Sequence, residues 1–262
     1  MIAIVAALQA ELSALERRAR ARRCPSPSWP AMSEGTLAGK QVLLVRTGMG
    51  CARAREATAV LIKRHNPEAI LSIGFAGSVV SGLRAAQLVI ANQVYALEGS
   101  PPGEPLAASN GLACDPALVK LALAAAQKRR LTFREGASLT VPDVVHRPEV
   151  RQRIGDSLPV EMVEMESYWV GRVAADQGIP FLVARAIVDE VDDRLPDLPN
   201  VIDEAGAVVR GRAFRQILSR PREMPGLIRL AVSARRASQT LAVFAEAFVD
   251  VFPASHSPER QQ

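Results

Sequence analysis

Short apolar runs alternate along the chain with stretches in which apolar residues recur every three or four positions. The runs predict strands near 2–7, 42–47, 69–74, 87–94, 160–164 and 181–187. The helical spacing predicts helices over about 10–22, 51–65, 115–129, 166–177 and 226–249. Strand, crossover helix, strand is the order of a doubly wound α/β fold. The expected architecture is a three-layer sandwich: a twisted, mostly parallel (mixed) sheet with helices on both faces. Pro and Gly gather in 24–39, 99–111 and 192–211, which read as loops, the last one shaping a site. With no internal repeat, one domain over 1–252 is expected, closed by the helix at 226–249, with 253–262 as a frayed tail.

Composition sharpens this picture. A chain of 262 residues with 48% hydrophobic content can bury one large core. Only 4% of residues are aromatic, so that core rests on Ala, Val, Leu and Ile, which suits parallel strands covered on both faces. Cys24, Cys51 and Cys114 stand far apart, which argues against a disulfide framework or a zinc site and for a reducing, cytoplasmic setting. Ile2 to Leu8 lacks a basic flank and meets Glu11 at once, so it reads as a strand rather than a signal peptide. No run approaches the roughly 18 apolar residues of a membrane span.

Net charge is +5, and the excess is local: Arg210 to Arg236 holds eight Arg against one acid, Glu223. Such a stretch suits either an anionic membrane surface or a solvated helical face, and both readings stay open. It lacks the series of aromatics that RNA binding would need, so no nucleic acid is expected.

Candidate chemistry sits where strands should end, the place at which open α/β sheets bind ligands. Glu11 lies in the first turn of a predicted helix, where an acid commonly complements the macrodipole. Arg46-Thr47-Gly48-Met49-Gly50 is either a tight strand-to-helix turn or a place where backbone N–H groups approach an anion or a sugar hydroxyl. Gly74-Phe75-Ala76-Gly77 follows a strand and lets backbone come close to a flat ligand, yet its spacing is not that of a dinucleotide fingerprint. The strongest signal pairs Val163-Glu164-Met165-Glu166 with Arg185-Ala186-Ile187-Val188-Asp189 some twenty residues later. Glu166, at a strand-to-helix junction, is suited to accept both hydrogens of a ribose diol through charge-assisted bonds. Asp189 ends an apolar strand, so partial burial should raise its pKa and let it hold a proton near neutrality.

Taken together these residues resemble the nucleoside phosphorylase and nucleosidase superfamily, particularly its methylthioadenosine/S-adenosylhomocysteine nucleosidase branch, in collinear order over about residues 1 to 195. The resemblance implies a phosphorylase/hydrolase-like fold, a homodimer, no cofactor, and cleavage of the N-glycosidic bond of an adenine nucleoside. It gives Glu166 the ribose hydroxyls, Met165 the sugar face, Asp189 the proton at purine N7, and Glu11 the general base. It places Arg185 beside the nucleophile and Ala76 and Gly77 beside the base. Phe75 stands where the nucleosidases have Ser, Val188 replaces another Ser, and Val145 occupies the place of an aromatic that stacks on the base; Asp143 matches a loop aspartate nearby. Trp169, one helical turn after Glu166, is either a pocket wall or core.

Water and inorganic phosphate both remain open as nucleophile. Glu11 would repel a phosphate dianion, whereas Arg46, Thr47, Gly48 and Arg185 could build an anion site. Three scattered histidines offer no metal a home. The tail, with Arg220-Pro221-Arg222, Pro225 and an Arg-studded helix, resembles the hopanoid-associated phosphorylases. That likeness implies a lipid-linked adenine nucleoside, adenosylhopane, as the leading expectation for the substrate, with peripheral membrane contact through the basic helix; methylthioadenosine/S-adenosylhomocysteine cleavage is the alternative, and a nucleoside-binding module without turnover, suggested by Phe75 and Val188, is the second.

Overall fold

A computed structural model describes residues 1–24, 29–98, 106–195 and 224–253. Among these described residues eleven strands form one mixed sheet, and helices cover it. In chain order the elements are β1 (Ile2–Ala6), α1 (Gln9–Arg18), β2 (Arg22–Arg23), β3 (Ala31–Leu37), β4 (Lys40–Arg46), α2 (Cys51–His65), β5 (Ala69–Ser78) and β6 (Leu88–Glu98). There follow β7 (Ala107–Ala108), β8 (Leu112–Ala113), α3 (Pro116–Lys128), β9 (Phe133–Thr140), α4 (Pro148–Ser157), β10 (Met162–Glu164), α5 (Ser167–Asp176), β11 (Phe181–Asp189) and α6 (Met224–Val251).

The central strands are the apolar runs of the sequence. β1 is buried at all five positions and lies parallel to β4 on one side and β5 on the other. β5 continues parallel to β11, which pairs antiparallel with β6. Helices pack in two groups: α6 against α1, α3 and β11, and α2 against α5. α3 begins on Asp115, whose Oδ1 accepts the N–H groups of Ala117 and Leu118 at 2.9 and 3.0 Å, with Pro116 at the first helical position. α2 ends on Asn66 in the left-handed region, followed by Pro67.

One connection shapes the site. β10 runs parallel to β9 but antiparallel to β5, with Met162 opposite Ser78 and Val163 opposite Gly77. Strands β5, β11, β6, β9 and β10 thereby close into a ring, and the chain beyond Val163 turns back along β5 towards Gly74.

The stretch 24–39, read as a loop, contains β3, which forms a hairpin with β4 through Ala38 and Gly39, both with positive φ. Residues 107–108 of the second expected loop are strand β7. The spacing also gave no sign of β9, whose first half carries Arg134, Glu135 and Gly136, or of α4, which buries only Arg151 and Ile154. The C-terminal helix spans two residues more at each end than its periodicity indicates; its second half buries Phe244 and Phe248, while Ile228 and Val232 near its start are exposed. Residues 25–28, 99–105, 196–223 and 254–262, which include most of the 192–211 loop, the Arg220-Pro221-Arg222 run and nearly all of the tail, lie outside the described residues. Among those described, no helix is long and apolar enough to cross a membrane, and no group of three His, Cys, Asp or Glu is placed to hold a metal ion.

Candidate active site

Glu11 and Asp189 are buried and Glu166 is half-buried, each at or just beyond the end of a strand, β1, β11 and β10 respectively. Glu11 sits in the first turn of α1; its Oε2 accepts the N–H of Leu8 and its Oε1 the N–H of Phe75, both at 2.7 Å. It therefore caps the start of its own helix and also ties α1 to β5. Burial pushes its carboxyl up, while the N–H groups of Leu8 and Phe75 and the charge of Arg185 pull it back. Gly74 makes room for it: a Cβ there would lie 2.8 Å from Glu11 Oε1 and 3.4 Å from the Arg185 guanidinium carbon.

Glu166 is the residue before α5, and its Oε1 accepts the Gly50 N–H at 2.7 Å. Burial raises its carboxyl to about 8, helped by the charges of Glu164 and Glu11 and opposed by Gly50 and Arg185. Of the two readings of the two-glycine turn after β4, the tight strand-to-helix turn is the one its hydrogen bonds fit. Gly48 donates its N–H to Ala7 O and Gly50 donates to Glu166, so both groups serve to hold the site together. Thr47 is buried, with its hydroxyl placed on Ala6 O and Gly48 O at 3.3 and 2.9 Å.

The organising residue is Glu164, quoted in the sequence motif but given no role there. Its Oε2 accepts the N–H groups of Glu166 and Ser167 at 2.9 and 2.7 Å, at the positive end of α5. The same oxygen meets Arg185 Nη2 at 3.2 Å, and its Oε1 accepts the Thr140 hydroxyl. Arg185 is buried and spends its other bonds on Ser72 O, Ala184 O and Ser72 Oγ. Glu11, Thr47, Ser72, Glu166 and Arg185 line one narrow cleft. Arg46 is not among its walls; its Nη1 donates to Gln9 Oε1 at 3.1 Å.

Asp189 opens onto a different cavity, of about 190 Å³, with Asp192, Asp193, Arg194, Gly226, Arg229 and Leu230 among its walls. Its carboxyl lies against Gly77, where a Cβ would stand 2.5 Å from Oδ2. Burial raises it to about 6, and the guanidinium of Arg151, 2.7 Å from Oδ2, opposes the rise. The structure thus joins Glu11, Glu166 and Arg185 in one space and sets Asp189 in a neighbouring one. The two are bridged by β5: Glu11 reaches the strand at Gly74 and Phe75, Asp189 at Gly77, a separation of about 10 Å at the usual rise per residue. Gly74 and Gly77 of this strand leave room for the carboxylates of Glu11 and Asp189.

Around these acids, Phe75 is half-buried and contributes its N–H, and Ala76 and Gly77 are buried in β5. Met165 and Val145 are half-buried against a small apolar cluster built on Leu139, Ile154 and Val163. Trp169 lines neither space. It packs on the main core with Tyr168 edge-on at 5.2 Å and the Arg55 guanidinium 5.5 Å from its ring, so it is part of the α2–α5 contact.

A family model described as the phosphorylase superfamily matches residues 1–218. Among curated relatives, the 5′-methylthioadenosine/S-adenosylhomocysteine nucleosidase of Actinobacillus succinogenes is 31% identical over 166 residues, 61% of this chain and 72% of that protein. The nucleosidase of the same name from Staphylococcus epidermidis is 26% identical over 196 residues, 72% of this chain and 86% of that one. Of solved structures, that of the Neisseria meningitidis nucleosidase in complex with methylthio-immucillin-A superposes with a TM-score of 0.73 at 21% identity, covering 96% of this chain and 99% of the other. The futalosine hydrolase of Helicobacter pylori also gives 0.73, at 20% identity, over 95% and 97%. On the matched model, the relatives and the shared fold, this chain belongs to the phosphorylase superfamily.

Proposed function

We propose that the protein hydrolyses the N-glycosidic bond of an adenine nucleoside of the 5′-methylthioadenosine/S-adenosylhomocysteine type, releasing adenine without a cofactor. The observation that carries this reading is that Glu11, Glu166 and Arg185 line one cleft, with Asp189 against Gly77 of the same strand β5 that Glu11 meets at Gly74 and Phe75. The relatives named above agree with the reading in substrate class.

Departure of a purine leaves positive charge on the sugar and negative charge on the base, as in glycoside hydrolysis. Glu166 holds the ribose hydroxyls with Met165 beside the sugar. Asp189 gives its proton to N7 of the leaving base. Glu11 takes the proton of the attacking water, and Arg185 orients that water. Water is favoured over phosphate because the cations that would hold a dianion are engaged: Arg46 on Gln9, Arg185 on Glu164 and Ser72. A homodimer in the cytoplasm accompanies this reading.

A second reading, cleavage of adenosylhopane, is supported by one feature. Gly226, Arg229 and Leu230 of α6 share the cavity with Asp189, and Ile228 and Val232 are exposed on the same helix turns. Adenine release from methylthioadenosine, S-adenosylhomocysteine and an adenosylated lipid, with and without phosphate, tests both. Phosphate-independent release from the thioadenosines supports the first. Release confined to the lipid substrate supports the second, and strict phosphate dependence removes Glu11 as base.

A further inference from the structure

Among the described residues Arg151 is the largest side chain to be completely buried, and nothing in the reaction above uses it. It stands on α4, and its Nε donates to Val145 O at 2.9 Å. Its Nη1 donates to Glu190 O at 2.8 Å and meets Asp189 Oδ2 at 2.7 Å. Its Nη2 is buried with no partner among the described residues. Holding α4 in place does not call for such a group. A buried guanidinium with unmet N–H groups costs more than an apolar residue of the same volume, whereas its charge acts directly on the carboxylate it touches.

We propose that Arg151 is a positioning residue for Asp189, tying down Oδ2 and leaving Oδ1 as the carboxyl oxygen that exchanges a proton with the leaving base. The proposal rests on the nucleosidase reading. In the step it serves, the C1′–N9 bond breaks and its electron pair goes to the base, while the Asp189 proton moves from Oδ1 to N7. The water oxygen bonds to C1′ and its proton passes to Glu11. Asp189 is left as a buried carboxylate, and Arg151 neutralises it at that moment. Without Arg151, burial would act on Asp189 unopposed and make it a poorer acid. The guanidinium keeps its own charge despite burial lowering its pKa.

Other charged groups near Asp189 are occupied or lie at the rim. Asp192, Asp193 and Arg194 follow β11, and Arg229 of α6 is paired with Asp193. The Glu190 carboxylate faces Arg84 and the N–H of Ala85.

The test is the titration of Asp189 in the full chain, followed by ¹³C NMR of labelled Asp carboxyls and assigned by the signal lost in Asp189→Asn. In Arg151→Met the midpoint should rise by about one pH unit or more. The kcat for methylthioadenosine should fall about tenfold or more with KM little changed. Arg151→Lys keeps charge without the fork; it should hold the midpoint within about half a unit yet still lower kcat. An unmoved midpoint in a folded Arg151→Met protein, or a Lys variant with unchanged kcat, overturns the proposal, and the Lys variant decides if the Met variant does not fold. If instead the midpoint moves but Asp189→Asn releases adenine at the wild-type rate, the nucleosidase role of Asp189 fails while the coupling of the pair stands.

Discussion

Replacing Glu164 by Ala should be the most damaging single change to the site that touches none of the atoms of the substrate. The side chain is buried and satisfies two N–H groups at the start of α5, the Thr140 hydroxyl and the Arg185 guanidinium. Removing one member of a buried ion pair costs about 3–5 kcal/mol, because the other charge is left behind. Ser72 and Ala184 can solvate Arg185 only in part. For a chain of this size each kcal/mol moves the melting temperature by about 2–4 °C, so calorimetry at pH 7 should show a fall of roughly 6–20 °C. Glu166 and Arg185 would lose their anchor together, so kcat should fall with stability. Glu164→Gln keeps the volume and one acceptor but not the counter-charge, so its melting temperature should fall between those of Glu164→Ala and wild type. A melting temperature within about 2 °C of wild type for Glu164→Ala would refute the reasoning, since it would mean that Arg185 needs no counter-charge.

Three further outcomes follow from the same geometry. Gly77→Ala places a methyl group 2.5 Å from Asp189 Oδ2; a displacement of about 1 Å should lower kcat about 100-fold, and a variant with more than half the wild-type rate would contradict it. Glu166 has a folded pKa of about 8 against an ordinary 4.5, so its burial costs nothing at low pH, costs progressively more between those values, and costs most above pH 8. Glu166→Gln should therefore raise the melting temperature at pH 9 and hardly at all at pH 4 while turnover is lost; an equal shift at both pH values would exclude the titration as cause. Lys40 donates from Nζ to the carbonyls of Val249, Asp250 and Phe252 at the end of α6, and Lys40→Met should lower urea stability by about 1–3 kcal/mol. An unchanged unfolding midpoint would show that these contacts are made by water equally well.

What was legible in the sequence follows from periodicity and position. β1, β4, β5 and β11 are continuous apolar runs because both their faces are covered, and a run of that kind marks itself. β3 and β9 expose part of their length and carry Gly, Ser and charged residues, so neither period stands out. Glu11, Glu166 and Asp189 were legible as acids at strand ends. Glu164 was hidden by its neighbour: of two acids in one motif, the one beside the expected sugar drew the role, and the one that builds the helix start and holds Arg185 received none. Arg151 gave no signal, since an Arg in Pro148–Ser157, a segment with Glu149, Arg153 and Asp156, reads as solvated surface. Its partner lies 38 positions away and is met only because α4 packs beside the end of β11. The division of the acids between a cleft and a neighbouring cavity was also beyond the sequence, because it depends on how far apart two side chains meet the same strand.

One nucleoside should span both spaces, and a crystal structure of Asp189→Asn with methylthioadenosine should show it with ribose hydroxyls on Glu166, the base edge at position 189 beside Gly77, and the anomeric carbon facing Glu11. A ligand bound wholly within one space, with residue 189 out of reach of the base, would contradict it.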